Sequence, residues 1–318
     1  MDSTMLRASE AAETMRRGGG IGYDFSRLRP RGDLIKSLDS KSSGPVSFMG
    51  IYDAVCQTIS SSGHRRGAQL ACLRVDHPDI ERFITCKHNE HSLTGFNISV
   101  GITDDFMECL LKKKPFALKY EGKVYEEIDP VALWDMIMRS TWDWAEPGCL
   151  FIDTINKMNN LYYAETIEAT NPCGEQPLPP FGACLLGSFN LVKYVDEGRF
   201  NFEEFQRDIP VVVRSMDNVI DRTIYPLDAQ KDEAYSKRRL GLGVTGLANA
   251  VELCGKPFAT STANRLTHKI LKTLRDHCYE ASADIAKEKG SFPLFDKEKY
   301  LAGNFVKTLS PWVQEKIQ

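Results

Sequence analysis

The sequence predicts an α/β fold, and three observations carry that prediction. Apolar runs of strand length alternate with amphipathic stretches of helical period. A strand, turn and helix follow one another twice between residues 68 and 111. No Ser-, Gly- or Pro-rich tract separates the pieces. With 318 residues and 42% apolar content the chain can bury a large core, so one large domain is expected. The formal charge of −3 provides no basic field for nucleic acid or an anionic membrane. There is no uninterrupted apolar run of about 18 residues and no basic-then-apolar leader, so a cytoplasmic location without membrane span or secretion signal is expected. The nine cysteines show no short repeating spacing, which favours reduced thiols over a disulfide framework or a metal site.

Taken in order, Asp2 or Ser3 caps a helix that runs through about Arg17 and ends at Gly18-Gly19-Gly20. The glycines 18 to 22 look like a phosphate cradle, but no Gly-Lys-Ser/Thr follows. A P-loop is excluded, and the stretch reads as a helix C-cap running into a strand. Arg27, Arg29, Arg31 and Asp33 make a polar loop. Phe48, Tyr52, Val55 and Ile59 recur at helical spacing. In Gly63-His64-Arg65-Arg66-Gly67, two guanidinium groups between glycines suit phosphate or base contacts; the alternative is an exposed basic turn.

A strand over 68–75 leads through Asp76-His77-Pro78 into a short helix to about Ile84. Cys86, His88 and His91 lack a fourth ligand and read as a surface loop. A second strand, 96–101, precedes a helix capped by Thr103. A hairpin turns at Glu121-Gly122, and Asp129-Pro130 starts a helix carrying Leu133, Trp134, Ile137 and Trp142 that stops by Pro147-Gly148.

Residues 171–184 form a stiff, irregular loop. Pro172, Pro177, Pro179 and Pro180 remove backbone donors, and Gly174 and Gly182 supply turns. An extended backbone would send Asn171, Cys173 and Glu175 to one face, where an amide, a thiol and a carboxylate can address a single ligand. Apolar Leu178, Phe181, Leu185, Leu186, Phe189 and Leu191 flank the loop, so insertion into an interior that shields Cys173 and Cys184 is expected. The competing reading is a Pro-rich connection with two inert structural cysteines.

Beyond the loop, Asn201 caps a helix expected to break and restart at Pro210 before ending near Arg222. Gly241-Leu242-Gly243-Val244-Thr245-Gly246 fits the dinucleotide fingerprint by letters. The charged Ser236-Lys237-Arg238-Arg239 precedes it and no ribose acid follows, so a nicotinamide site is rejected. Leu266, Ile270, Leu274, Cys278, Ala281 and Ile285 define a long helix closed by Gly290, and the rest reads as a polar tail.

The run NPCGEQPLPPFGACLLGSFNL (171–191) resembles the finger loop of ribonucleotide reductase catalytic subunits, with the wording of the adenosylcobalamin-dependent class. Further stretches similar to the family follow its order: GGGIGYDFSRLRPRGD (18–33), SSGPVSFM (42–49), GHRRGAQLACLRVDHPDIERFI (63–84), LTGFNISVGITDDFM (93–107) and SKRRLGLGVTGLANA (236–250). The resemblance implies that residues 1–318 form an incomplete version of the family's ten-stranded α/β barrel with the finger loop, 171–184, inside, and that Gly241–Gly246 is a barrel strand entering a helix. It implies that residues 2–67 supply dimer helices and specificity loops, with Arg29, Asp33, His64, Arg65 and Arg66 at a dNTP/ATP effector site. Gly20, Asn171, Pro172, Cys173, Gly174 and Glu175 would contact a ribonucleoside di- or triphosphate. Cys173 would act as a thiyl radical, Glu175 as a base, Asn171 as a hydroxyl ligand, and Cys184 as half of a reducing dithiol served by a thioredoxin-like reductant.

Adenosylcobalamin is the implied radical source, a metal-containing partner subunit its rival. A redox-partner strand would precede the first helix and further strands would follow the last, so the chain reads as one piece of a split or longer catalytic subunit. A homodimer or a companion polypeptide would complete it. The alternative is an inactive nucleotide-binding or interaction module. A thiol-disulfide protein ranks last because no Cys-x-x-Cys is present.

Overall fold

Strands and helices alternate along the chain, as the patterning requires. The computed structural model describes residues 2–35, 39–59, 67–89 and 91–318, so His64, Arg65 and Arg66 lie outside the described residues. In chain order the principal elements are α1 (Asp2–Arg16), β1 (Ile21–Asp24), α2 (Pro45–Thr58), β2 (Gln69–Arg74), α3 (Ile80–Ile84), β3 (Phe96–Ile102) and α4 (Asp104–Lys112). The hairpin β4 (Phe116–Tyr120) and β5 (Lys123–Ile128), α5 (Pro130–Trp144), β6 (Gly148–Phe151) and α6 (Ile152–Met158) follow. Next come β7 (Ala169–Thr170), β8 (Pro177–Leu178), β9 (Leu185–Asn190), α7 (Phe202–Arg222), α8 (Asp228–Lys237), β10 (Leu240–Thr245), α9 (Leu247–Leu253), α10 (Ser261–Lys289), α11 (Lys297–Ala302) and α12 (Pro311–Ile317). The chain divides into two compact units, residues 1–157 with 166–180, and 158–165 with 181–318. No linker composition marks these boundaries, and one of them falls inside the 171–184 loop.

In the first unit β1, β2, β3 and β6 form an all-parallel sheet in that order. Successive side chains alternate across a strand. Phe96, Ile98, Val100 and Ile102 of β3 therefore join Ala71 and Leu73 of β2 on one face. There they pack with Met49 and Tyr52 of α2, Ile80 and Phe83 of α3, Phe106 of α4, and Leu133 and Ile137 of α5. The fully buried Phe83, Phe96, Phe106 and Phe116 each contribute roughly 2–3 kcal/mol by apolar transfer. On the opposite face Leu70 and Cys72 cluster with Ala169, and Leu150 packs against them. The expected caps form: Thr103 accepts from the Phe106 amide at 3.2 Å, and Asp129 from the Val131 amide at 2.9 Å. Gly18, at φ +87°, closes α1 through its amide to the Met15 carbonyl at 2.9 Å. His88 Nε2 lies 2.8 Å from Ser140 Oγ, and its ring stacks on Trp144.

In the second unit β9 and β10 pair in parallel with Leu185 opposite Leu240. Phe189, Leu240, Leu242 and Val244 pack on Phe205, Ile209 and Val213 of α7 and Ile270 and Leu274 of α10. Gly241 and Gly243 lie within the strand and Gly246, at φ +69°, begins α9, so no fingerprint turn exists. Among the described residues the parallel ladders comprise four strands in the first unit and two in the second.

Two expectations are corrected here. Pro210 does not break α7, which is continuous from Phe202 to Arg222. An interior proline costs about 3 kcal/mol, but the buried stripe of Phe205, Ile209, Val213 and Ile220 contributes roughly 1.5–3 kcal/mol per side chain and outweighs it. The end of the chain is not a polar tail: Val306, Leu309 and Val313 form a small core with Tyr279, Tyr300 and Phe305 packed against it. No helix among the described residues is long and apolar enough to cross a membrane.

The charged run before β10 is structural. Glu165, only 3% exposed at its side chain, receives Lys237 at 2.8 Å and Arg239 at 2.7 Å, and Arg238 pairs with Asp217 at 2.7 Å. Burial would raise the Glu165 and Asp217 carboxyls. For Glu165, Arg239, Lys237 and Asn159 outweigh it; for Asp217, Arg238 and Lys289 do. Both groups are held below their ordinary 4.5 and 3.8. The unfolded chain therefore binds more protons in that range, so this stabilisation is complete above the ordinary values and is lost as pH falls through the depressed ones. A series of thermal melts below about pH 4.5 is expected to show a falling midpoint. Asp217→Asn should flatten that acid limb, and an unchanged limb would refute the assignment.

Candidate functional site

The site is a hairpin laid on the sheet face opposite the helical core. β7 and β8 pair antiparallel, with Thr170 opposite Pro177 and Ala169 opposite Leu178. Glycine is what admits this hairpin to the sheet. A Cβ on Gly22 would lie 1.6 Å from the Thr170 carbonyl oxygen, and one on Gly20 would lie 2.5 Å from Pro172 Cγ. Arg27 holds Glu168, just before the hairpin, at 2.5 Å, and Asn97 Nδ2 donates to the Pro172 carbonyl at 2.7 Å.

The tip is a tight turn. Pro172, with φ fixed by its ring, takes the second turn position, Cys173 the third, and Gly174 the fourth at φ +87°. The Gly174 amide closes the turn on the Asn171 carbonyl at 3.0 Å. Asn171 organises the rest: its backbone N–H donates to the Gln176 carbonyl at 3.1 Å, and its Oδ1 accepts from the Gln176 amide at 2.9 Å. That leaves Nδ2 to donate to Glu175 Oε1 at 2.7 Å. The amide and carboxylate are thus a bonded pair, with a charge-assisted contact that fixes the carboxylate beside the turn. The tip thus carries the Glu175 carboxylate, held by Asn171, and two residues earlier in the chain the exposed Cys173 thiol.

The geometry differs from the expected extended strand. Asn171 and Glu175 converge because the chain turns back, and no extended strand presents alternating side chains. Shielding also fails: Cys173 and Glu175 are exposed, while Pro172 and Pro179 are buried. Gly20, expected to contact the nucleotide, faces the Pro172 ring. Arg29 donates to the Leu34 carbonyl at 2.9 Å, and Asp33 accepts from the Tyr125 hydroxyl. Cys184 falls in the second unit, half-buried just before β9, with Sγ 3.9 Å from the Leu185 carbonyl. No disulfide forms among the described residues.

Sequence reasoning missed Gly22 and Asn97. Asn97 carried a signal: it is a polar residue between Phe96 and Ile98, so alternation sends it to the face away from the core. Burial pushes the Cys86 and Cys278 thiols up to about 12 and raises that of fully buried Cys72, beside Asp24 and Glu168, further still.

Two outcomes follow. Gly22→Ala is expected to cost roughly 3 kcal/mol because backbone cannot yield as a side chain can, whereas Gly50→Ala, in open space on α2, should stabilise by roughly 0.5–1 kcal/mol. Denaturant midpoints read both. Alkylation at about pH 8 should label Cys173 at least tenfold faster than Cys72, Cys86 or Cys278; peptide mass spectra that show equal rates would contradict the burial pattern.

The family model described as ribonucleotide reductase, barrel domain, matches residues 1–316. Among curated relatives, the vitamin B12-dependent ribonucleoside-diphosphate reductase of Mycobacterium tuberculosis (strain CDC 1551 / Oshkosh) is 39% identical over 303 residues, covering 94% of this chain and 44% of that protein. Its namesake from Thermoplasma acidophilum is 40% identical over 280 residues, 87% of this chain and 36% of that protein. The ribonucleoside-diphosphate reductase subunit alpha of Chlamydia muridarum is 26% identical over 332 residues, 93% and 32% of the two chains. The chain spans less than half the length of these relatives.

Proposed function

Because this chain belongs to the ribonucleotide reductase barrel-domain family, we propose that it is the part of a radical ribonucleotide reductase that carries the reacting thiol, making 2′-deoxyribonucleotides for DNA synthesis in the cytoplasm. The observation that supports this best is the Asn171–Glu175 pair at 2.7 Å beside Cys173 on a stem that only glycines at 20 and 22 permit. A mere binding loop has no need of that trio.

A ribose 2′-hydroxyl is a poor leaving group on an unactivated carbon, and radical chemistry avoids that barrier. Cys173, as a thiyl radical, takes the 3′-hydrogen of the sugar and returns it at the end. Glu175 accepts the 3′-hydroxyl proton, and Asn171 orients both the carboxylate and the sugar hydroxyls. The C2′–O bond breaks and the oxygen leaves as water; two thiols supply two electrons and two protons and end as a disulfide. Cys184 is one of the two, and a thioredoxin-like reductant resets the pair. Arg29, Asp33, His64, Arg65 and Arg66 are proposed for dNTP or ATP effectors, and residues 2–67 for contact with a second copy or companion chain. The substrate is a ribonucleoside di- or triphosphate.

The relatives named as vitamin B12-dependent point to adenosylcobalamin as the radical source. When bound, that group would supply the initiating radical for the Cys173 thiol. The Cys173 thiol is exposed, which is compatible with receiving a radical from such a group.

In the complete protein containing this chain, Cys173→Ala is expected to abolish deoxyribonucleotide formation while nucleotide binding by calorimetry stays near wild type. Residual turnover would refute the thiyl role. Nucleotide binding without turnover in the wild type would make the chain an inactive nucleotide-binding module, and failure to consume adenosylcobalamin in the presence of substrate and reductant would point to a metal-containing partner subunit.

A further inference from the structure

We propose that Asn97 is a positioning residue for Cys173, acting through the Pro172 carbonyl; its importance for turnover rests on the reading that Cys173 is the reacting thiol. β3 sends Phe96, Ile98, Val100 and Ile102 into the helical core, which leaves Asn97 on the hairpin face. Its Nδ2 donates to the Pro172 carbonyl at 2.7 Å. A carbonyl oxygen only accepts, so the amide orientation is settled by chemistry. That oxygen belongs to the peptide plane joining Pro172 to Cys173, and a planar peptide transmits its orientation directly to the next Cα.

Three restraints meet on that plane: the ring-fixed φ of Pro172, the contact of the same ring with Gly20, and the Asn97 bond. The first two locate the proline. Of these three, the Asn97 bond to the oxygen is the one that resists rotation of the plane, and with it the direction of the Cys173 side chain. Asn97 itself is exposed, in a strand whose neighbours Phe96 and Ile98 are buried, so its side chain adds little to the core.

The test compares Asn97→Ala and Asn97→Asp by amide hydrogen exchange at Gly174, whose N–H closes the turn on Asn171. One hydrogen bond lost corresponds to about a fivefold to tenfold larger open population, so exchange at Gly174 should quicken by that factor in Asn97→Ala. Aspartate has the shape of asparagine but presents an acceptor to an acceptor, so Asn97→Asp should exchange at least as fast. A side chain that merely fills space would tolerate the isostere, and wild-type exchange in Asn97→Asp overturns the proposal. In the complete protein, kcat should fall by the same factor with the nucleotide KM unchanged; a rise in KM alone would overturn the positioning role. Cys173→Ala tests the reaction separately, since the turn's exchange rates do not depend on whether Cys173 reacts.

Discussion

The first unit depends on one close approach, that of the Thr170 carbonyl to the backbone of β1. A Cβ at Gly22 would stand 1.6 Å from that oxygen, well inside any van der Waals limit, so the hairpin can lie on the sheet only where β1 has no side chain. Gly20 repeats the condition one residue pair earlier, under Pro172. From this follow the seat of the hairpin, the placement of the turn at 171–174, and the presentation of Cys173 at its exposed apex.

The parallel sheet is used asymmetrically. One face is an apolar core covered by helices, built from apolar side chains at alternate positions of β2 and β3. The other carries Gly22, Cys72, Asn97 and Leu150 and receives a short, proline-stiffened hairpin. Packing is therefore supplied from behind, and the chemistry proposed for this chain sits in front on a proline-stiffened loop. The Asn171 side chain, with its oxygen on the Gln176 amide and its nitrogen on Glu175, converts that rigidity into a fixed carboxylate position.

The second unit solves a different problem. Lys237, Arg238 and Arg239 precede the apolar strand β10, and their charges are neutralised by Glu165, Asp217 and Asp221. Buried ions are costly unless paired and hydrogen-bonded. Here each cation has at least one carboxylate within 3 Å, so the basic run anchors a strand and requires no anionic ligand to explain it.

By itself the sequence determined what depends on near neighbours: the α/β alternation, the caps at Thr103, Asp129 and Asn201, and the glycine end of α1. These need only side-chain period, turn chemistry and partners a few residues away. Tertiary structure alone decided that Pro210 stays within a helix, that the last residues pack a core, that the loop's tip is exposed, and that Asn97 reaches Pro172 across 75 residues. The reason is physical: burial and close approach are properties of two segments meeting, and neither segment records in its own composition how near the other will come.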